Sequence, residues 1–167
     1  MTPDVAVIAQ VVSAAAVVTG LVFGTLQIRG AAHMRALLAA IEMVRAMQTP
    51  DFTRNIRIVL ALPDDADPTL VLGDPETAMA LHGVTHTFES LGVLVYHRAV
   101  PLHFVDDLLG GYARSCWRKI RPTVEFRRTQ VGVTYGEWMQ WLVERLKQYP
   151  TQGKNQGAWK ARRRWSP

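Results

Sequence analysis

His82, His86 and Glu89 come closest to a chemical site by residue type and spacing. They stand at i, i+4 and i+7, so a helix through them sets all three along one side. Two imidazoles one turn apart can hold zinc or iron, with a carboxylate as a third ligand. The pattern is not H-E-x-x-H, because Gly83 and Val84 follow His82. The competing reading makes the histidines surface or packing residues and pairs Glu89 with an arginine. Glu89 and Asp107 each lie in a mostly apolar stretch, with Arg114, Arg118, Arg127 and Arg128 near in sequence. Carboxylate–arginine pairs between helices fix helix register, and this architectural role is preferred to acid–base catalysis. Cys116 is the single cysteine, so no intramolecular disulfide can form. A lone thiol fits a reducing compartment, and its neighbours are those of a core helix residue rather than a nucleophile. There is no glycine-rich phosphate loop and no Ser-His-Asp order. The residues thus define no catalytic set and call for no cofactor.

The elements that position these residues read as helices. Residues 28–48 carry Met34, Leu37, Leu38, Ile41 and Val44 at helical spacing. Thr49-Pro50-Asp51 interrupts that helix and caps a short one through Phe52, Ile56, Val59 and Leu60. Residues 63–74, PDDADPTLVLGD, read as a loop. Its aspartates hint at calcium, but the EF-hand glycine and closing glutamate are missing. Asp74-Pro75-Glu76 supplies a cap, a proline at the first helical position and an acid in the first turn. Ala78, Leu81, Thr85, Phe88, Gly92 and Val95 then trace one face of a helix reaching about His97. Leu102, Val105, Leu108, Leu109, Tyr112, Cys116 and Ile120 trace the next. Gly110-Gly111 inside it predicts close packing or a kink, and Pro122 is expected to end it before a short helix through Arg128. Thr134 to Glu137 reads as a capping box for a last helix bearing Trp138, Trp141 and Leu142. No strand pair and no repeat is evident, so the fold class is all-α.

Residues 5–26 organise the rest. They hold no charged residue and no proline, and Gln10 is the one strongly polar side chain. A helix of this length runs roughly 33 Å at about 1.5 Å per residue, matching a ~30 Å hydrocarbon core. A cleaved signal peptide and a buried core helix compete with a membrane span. The start, Met1-Thr2-Pro3-Asp4, lacks the basic residues of a signal peptide. Asp4 precedes the run and Arg29, Arg35 and Arg45 follow it. The positive-inside rule then puts the N-terminus outside and the remainder in the cytoplasm. Ala16, Gly20 and Gly24 form a small-xxx-small-xxx-small face, which allows close helix–helix approach and self-association through the span.

Charge is unevenly spread. Lys and Arg balance Asp and Glu through residue 149, so the net charge of +5 falls on Lys154, Lys160, Arg162, Arg163 and Arg164. Trp159 and Trp165 lie among them. Such a tail can bind anionic lipid at about 1 kcal/mol per basic residue. Held near a membrane by a span, it favours lipid over nucleic acid, which the same composition can also bind. A solvated tail without a ligand is the third reading.

The stretches FESLGVLV and LHFVDDLLGGYARSCWRKIRPTVEFRR resemble a family of bacterial domain-of-unknown-function proteins. The matching positions are Phe88, Glu89, Leu91, Gly92, Asp107, Gly110, Trp117, Pro122 and Arg128. The resemblance implies a bacterial inner-membrane protein with one N-terminal span and a cytoplasmic helical region, and brings no activity. The expected organisation is a transmembrane helix at 5–26, a helical domain at 28–149 and a basic tail at 150–167. Its expected role is a membrane-anchored interaction or scaffold module with an unidentified protein partner. The alternative is a membrane-attached enzyme or metal-binding domain centred on His82, His86 and Glu89.

Overall fold

The computed structural model describes residues 3–148 and Arg163. The expected lipid contacts of Lys154, Trp159, Lys160, Arg162, Arg164 and Trp165 lie outside the described residues, and Arg163 stands exposed in a turn. Six helices follow in order: α1 (Pro3–Met47), α2 (Pro50–Ala61), α3 (Pro68–Gly73), α4 (Pro75–Tyr96), α5 (Leu102–Val131) and α6 (Glu137–Gln148). No strand occurs among the described residues. The chain divides into two units, Met1–Ala39 and Ala40–Pro167.

The first unit is a single run of α1. Helix continues through Gly30 without a break, so the apolar stretch and the stretch after it belong to one element. Within it, Val7–Ile28 forms a 22-residue apolar segment of which none is buried. Thr19 and Thr25 return their hydroxyls to Ala15 O and Val22 O, each at 2.8 Å. These bonds satisfy the hydroxyls within the helix's own backbone.

In the second unit, three helices begin with the same two-residue device. Thr49, Asp67 and Asp74 each accept a backbone N–H of the first turn, from Phe52, Thr69 and Thr77, and each is followed by proline. The cap satisfies a free N–H, and proline there gives up a donor that has no helical partner. Asp67-Pro68 is the case that a loop reading of residues 63–74 misses: α3 occupies half of that stretch.

The core is built by α2 and α6, each packed on both α4 and α5. Leu81, Val84 and Phe88 of α4, Ile120 and Val124 of α5, and Met139, Leu142 and Leu146 of α6 are fully or almost fully buried between them. Each large apolar side chain so removed from water contributes about 1.5–3 kcal/mol before entropy is counted.

Helix α5 does not end at Pro122; it runs unbroken to Val131 with the proline inside. A proline lacks the N–H that the carbonyl four residues earlier would accept. That carbonyl, Arg118 O, instead accepts the Asp65 N–H at 2.9 Å, and the neighbouring Lys119 O accepts the Ala66 N–H at 2.9 Å. The α2–α3 loop therefore completes a helix that the proline leaves short of a donor. Side chains fasten the same joint. Arg118 and Lys119 pair with Asp64, Arg121 pairs with Asp65 at 3.0 Å, and Lys119 also donates to Leu62 O. The acidic loop is thus neutralised by the basic end of the α5 stripe.

Candidate functional site

Several residues of the family-like pattern, Glu89, Gly92 and Arg128, meet at α6. From α4, Glu89 Oε1 accepts the Trp138 N–H at 3.4 Å. Trp138 is the second residue of α6, so Glu89 supplies from another helix the acceptor that an N-cap supplies locally. One turn on, Gly92 lies against the same residue: a Cβ there would stand 2.5 Å from Trp138 O. Phe88, one residue before Glu89, is fully buried in the core. Phe-Glu-x-Leu-Gly is a seat for the start of α6. The expected capping box at Thr134–Glu137 is replaced by this seat. The residue just before α6 is Gly136, with φ +69, and a Cβ on it would meet Val124. Thr134 itself is exposed.

Two α5 arginines hold the rest of α6. Arg128 donates from Nε to Tyr135 O and from Nη1 to Gln140 Oε1, both at 2.8 Å. Arg114 Nη1 pairs with Asp106 Oδ1 at 2.7 Å and reaches Leu146 O near the C-terminal end of α6 at 3.5 Å. Cations suit that end, where carbonyls lack helical partners and the dipole is negative. Gly110 lies between the members of the pair, and a Cβ on it would overlap the Asp106 carboxylate. Glycine at 110 is thus explained by the ion pair that crosses it, while a Cβ at Gly111 would meet nothing. The buried carboxylate is Asp106, its side chain 2% exposed, whereas Asp107 is exposed. A one-residue shift in α5 separates the two, and the local sequence DD gives no means of choosing between them.

His82 and His86 are exposed on α4, and their rings stack with centroids 6.4 Å apart. Glu89 is directed to Trp138 instead of to them. Among the described residues no three His, Cys, Asp or Glu side chains gather as a metal set. Cys116 is buried, and desolvation pushes its thiol up to about 12, opposed in part by nearby Lys119. At neutral pH the group is a thiol, not the thiolate a nucleophile needs.

Two surface features remain in the second unit. One is an apolar cleft of about 270 Å³ lined by Val44, Met47, Phe52, Ile56, Leu108 and Tyr112 among others. Leu108 and Tyr112, both on the expected core stripe of α5, are 45% and 48% exposed beside it. A volume just under the roughly 300–1,000 Å³ of small-molecule sites suits one or two apolar side chains better than a cofactor. The other is a ring cluster. Tyr96, Trp138 and Trp141 have centroids 5.1 to 6.0 Å apart, and the Arg145 guanidinium lies 5.8 Å over Trp141. Rings this close pack on one another and leave no space for a cation among them. Neither feature follows from motif reading, because each joins residues of elements distant in sequence.

Among the described residues, fold and site together define an all-helical protein with one helix long and apolar enough to cross a membrane, and a domain whose polar devices join helix to helix. The chain belongs to the family described as a domain of unknown function, DUF4760, whose model matches residues 7–146. That match takes in both the apolar helix and every joint on α6. Neither a curated protein nor a solved structure matches the chain.

Proposed function

We propose that this protein is a membrane-anchored helical interaction module of a bacterial cytoplasmic membrane. It crosses once, with the N-terminus outside and the second unit in the cytoplasm. The observation that carries this reading is that no residue of Val7–Ile28 is buried. A 22-residue apolar helix that its own protein does not cover needs lipid around it, and its backbone is satisfied internally as lipid requires. The basic flank after the span sets the direction, and the basic tail adds contact with anionic lipid on the same side.

The second unit is the working part of the module. Its buried polar groups join helices, and its open apolar surface is the cleft beside Leu108 and Tyr112. A cleft of this kind accepts the apolar face of a partner's helix. The reading is tested by alkaline extraction of membranes carrying the full chain, together with labelling of cysteines placed at residues 2 and 166 by an impermeant maleimide in intact cells. Retention in the membrane pellet, with residue 2 labelled and residue 166 protected, is expected. Release into the supernatant, or the reverse labelling, overturns it.

A further inference from the structure

We propose that α1 pairs in parallel with the α1 of a second copy of this chain, along a seam that leaves the membrane and continues through Leu38. The proposal rests on the spanning reading above. It starts from two apolar side chains that lipid does not reach. Met34 and Leu38 are 56% and 55% exposed. Leu38 lies ten residues beyond Ile28, the end of the apolar segment. Ten residues are about 15 Å of helix, while the headgroup layer is roughly 5–7 Å deep on each side. Leu38 thus projects beyond the lipid, where the matching leucine of a second copy can cover it.

The positions behind it say which surface. Gly20, Gly24, Gln27, Ala31, Met34 and Leu38 alternate four and three apart on one unbroken helix. That is the a/d spacing of a left-handed two-helix seam. Five of the six are exposed and Gly24 is half-buried, and a Cβ at Gly20 or Gly24 would meet nothing within 4 Å. Gln27 stands at the edge of the apolar segment and is both donor and acceptor. Across a two-fold axis it pairs with its own copy, as an isologous contact requires. The membrane fixes orientation and depth for every copy, so Gly20 meets Gly20 and Leu38 meets Leu38 without further selection of register. A crossing through Ala16, Gly20 and Gly24 alone has four-residue spacing and a right-handed angle. Helices crossing that way diverge and leave Leu38 uncovered, which is why the three-four alternation is decisive.

Cysteine scanning of residues 30–39 in membranes of the full chain tests this, with copper-phenanthroline oxidation and non-reducing gels as the readout. Native Cys116 is buried and serves as the uncross-linked background. Cross-linking to twice the chain's mass is expected to peak at Ala31→Cys, Met34→Cys and Leu38→Cys, at least fivefold above Ala32→Cys, Ala36→Cys and Ala39→Cys. A flat profile, a peak at Gly24→Cys without one at Leu38→Cys, or a product of any other mass overturns the pairing. A companion Val12→Cys chain separates the two failures. Its protection from impermeant maleimide with a flat scan rejects the pair alone, and its labelling rejects the span beneath it.

Discussion

The two units solve the same problem, burying apolar surface, in opposite ways. The second builds its own cover: α2 and α6 close over α4 and α5, and the joints on α6 are fixed by polar contacts from Glu89, Arg114 and Arg128. The first has no cover of its own, and no residue of Val7–Ile28 is buried. A helix in lipid needs only an apolar composition and an unbroken backbone, so many sequences serve. A helix in a packed domain needs particular residues at particular contacts, so few serve at Gly92, Gly136 or Asp106. Outside the Gly20–Gly24–Gln27 seam, substitutions that preserve apolarity should be tolerated in the first unit and punished in the second.

That contrast can be broken most decisively in the span. Leu21→Arg places a charge inside the apolar segment, where insertion costs up to about 2.5–3.5 kcal/mol. The expected outcome is partial loss from the alkaline-extracted pellet, while Leu21→Val leaves retention unchanged. In the second unit, Gly92→Leu forces a side chain into the Trp138 carbonyl. A loss of about 2–4 kcal/mol is expected from overpacking against backbone, read as a lowered urea midpoint with unchanged membrane retention. Asp106→Ala leaves Arg114 without its buried carboxylate. Because Arg114 is 37% exposed and can reach water, a loss of about 1–3 kcal/mol is expected, below that of a fully buried broken pair.

Smaller effects sharpen the picture of the joints. Pro122→Ala restores an N–H that competes with Asp65 for Arg118 O. Hydrogen exchange at Asp65 and Ala66 should quicken, while the stability of the domain changes by less than about 1 kcal/mol. Weaker still is an acid effect at Asp74, whose pKa lies below its ordinary value because the Thr77 hydroxyl and then the Thr77 N–H donate to its carboxylate. The folded value is the lower one, so the cap's contribution is complete above the unfolded pKa and is lost as pH falls through the folded one. Asp74→Asn keeps the cap and removes the titration, so its unfolding midpoint should fall less steeply below about pH 4 than that of the native chain.

Much of the fold was legible where the signal is local. The apolar run and the Thr49-Pro50 and Asp74-Pro75 caps are written in adjacent residues, and α2 and α4 begin where they indicate. Pro122 misleads because a helix-breaking residue becomes tolerable when Asp65, in a loop distant in sequence, supplies the missing donor. The capping box at Thr134 misleads in the same way, since Glu89 reaches α6 across the core. Asp106 and Asp107 are indistinguishable by type, and only the phase of α5 buries one and exposes the other. For the candidate site, the residues Phe88, Glu89, Gly92 and Arg128 were marked by pattern, but their common object, α6, appears only when the chain is folded. The cleft beside Leu108 and Tyr112 has no sequence signature at all, because those residues sit on a stripe that reads as core.

Under the proposed anchoring, lipid surrounds Val7–Ile28 except along the seam at Gly20, Gly24 and Gln27. The most direct test is a spin-label scan of single cysteines at residues 7–39 in the full chain reconstituted into anionic nanodiscs. Oxygen accessibility should exceed that of a water-soluble nickel reagent through residue 28, and the ratio should reverse by residue 32. Nickel accessibility at or above that of oxygen across residues 7–28 would contradict the account.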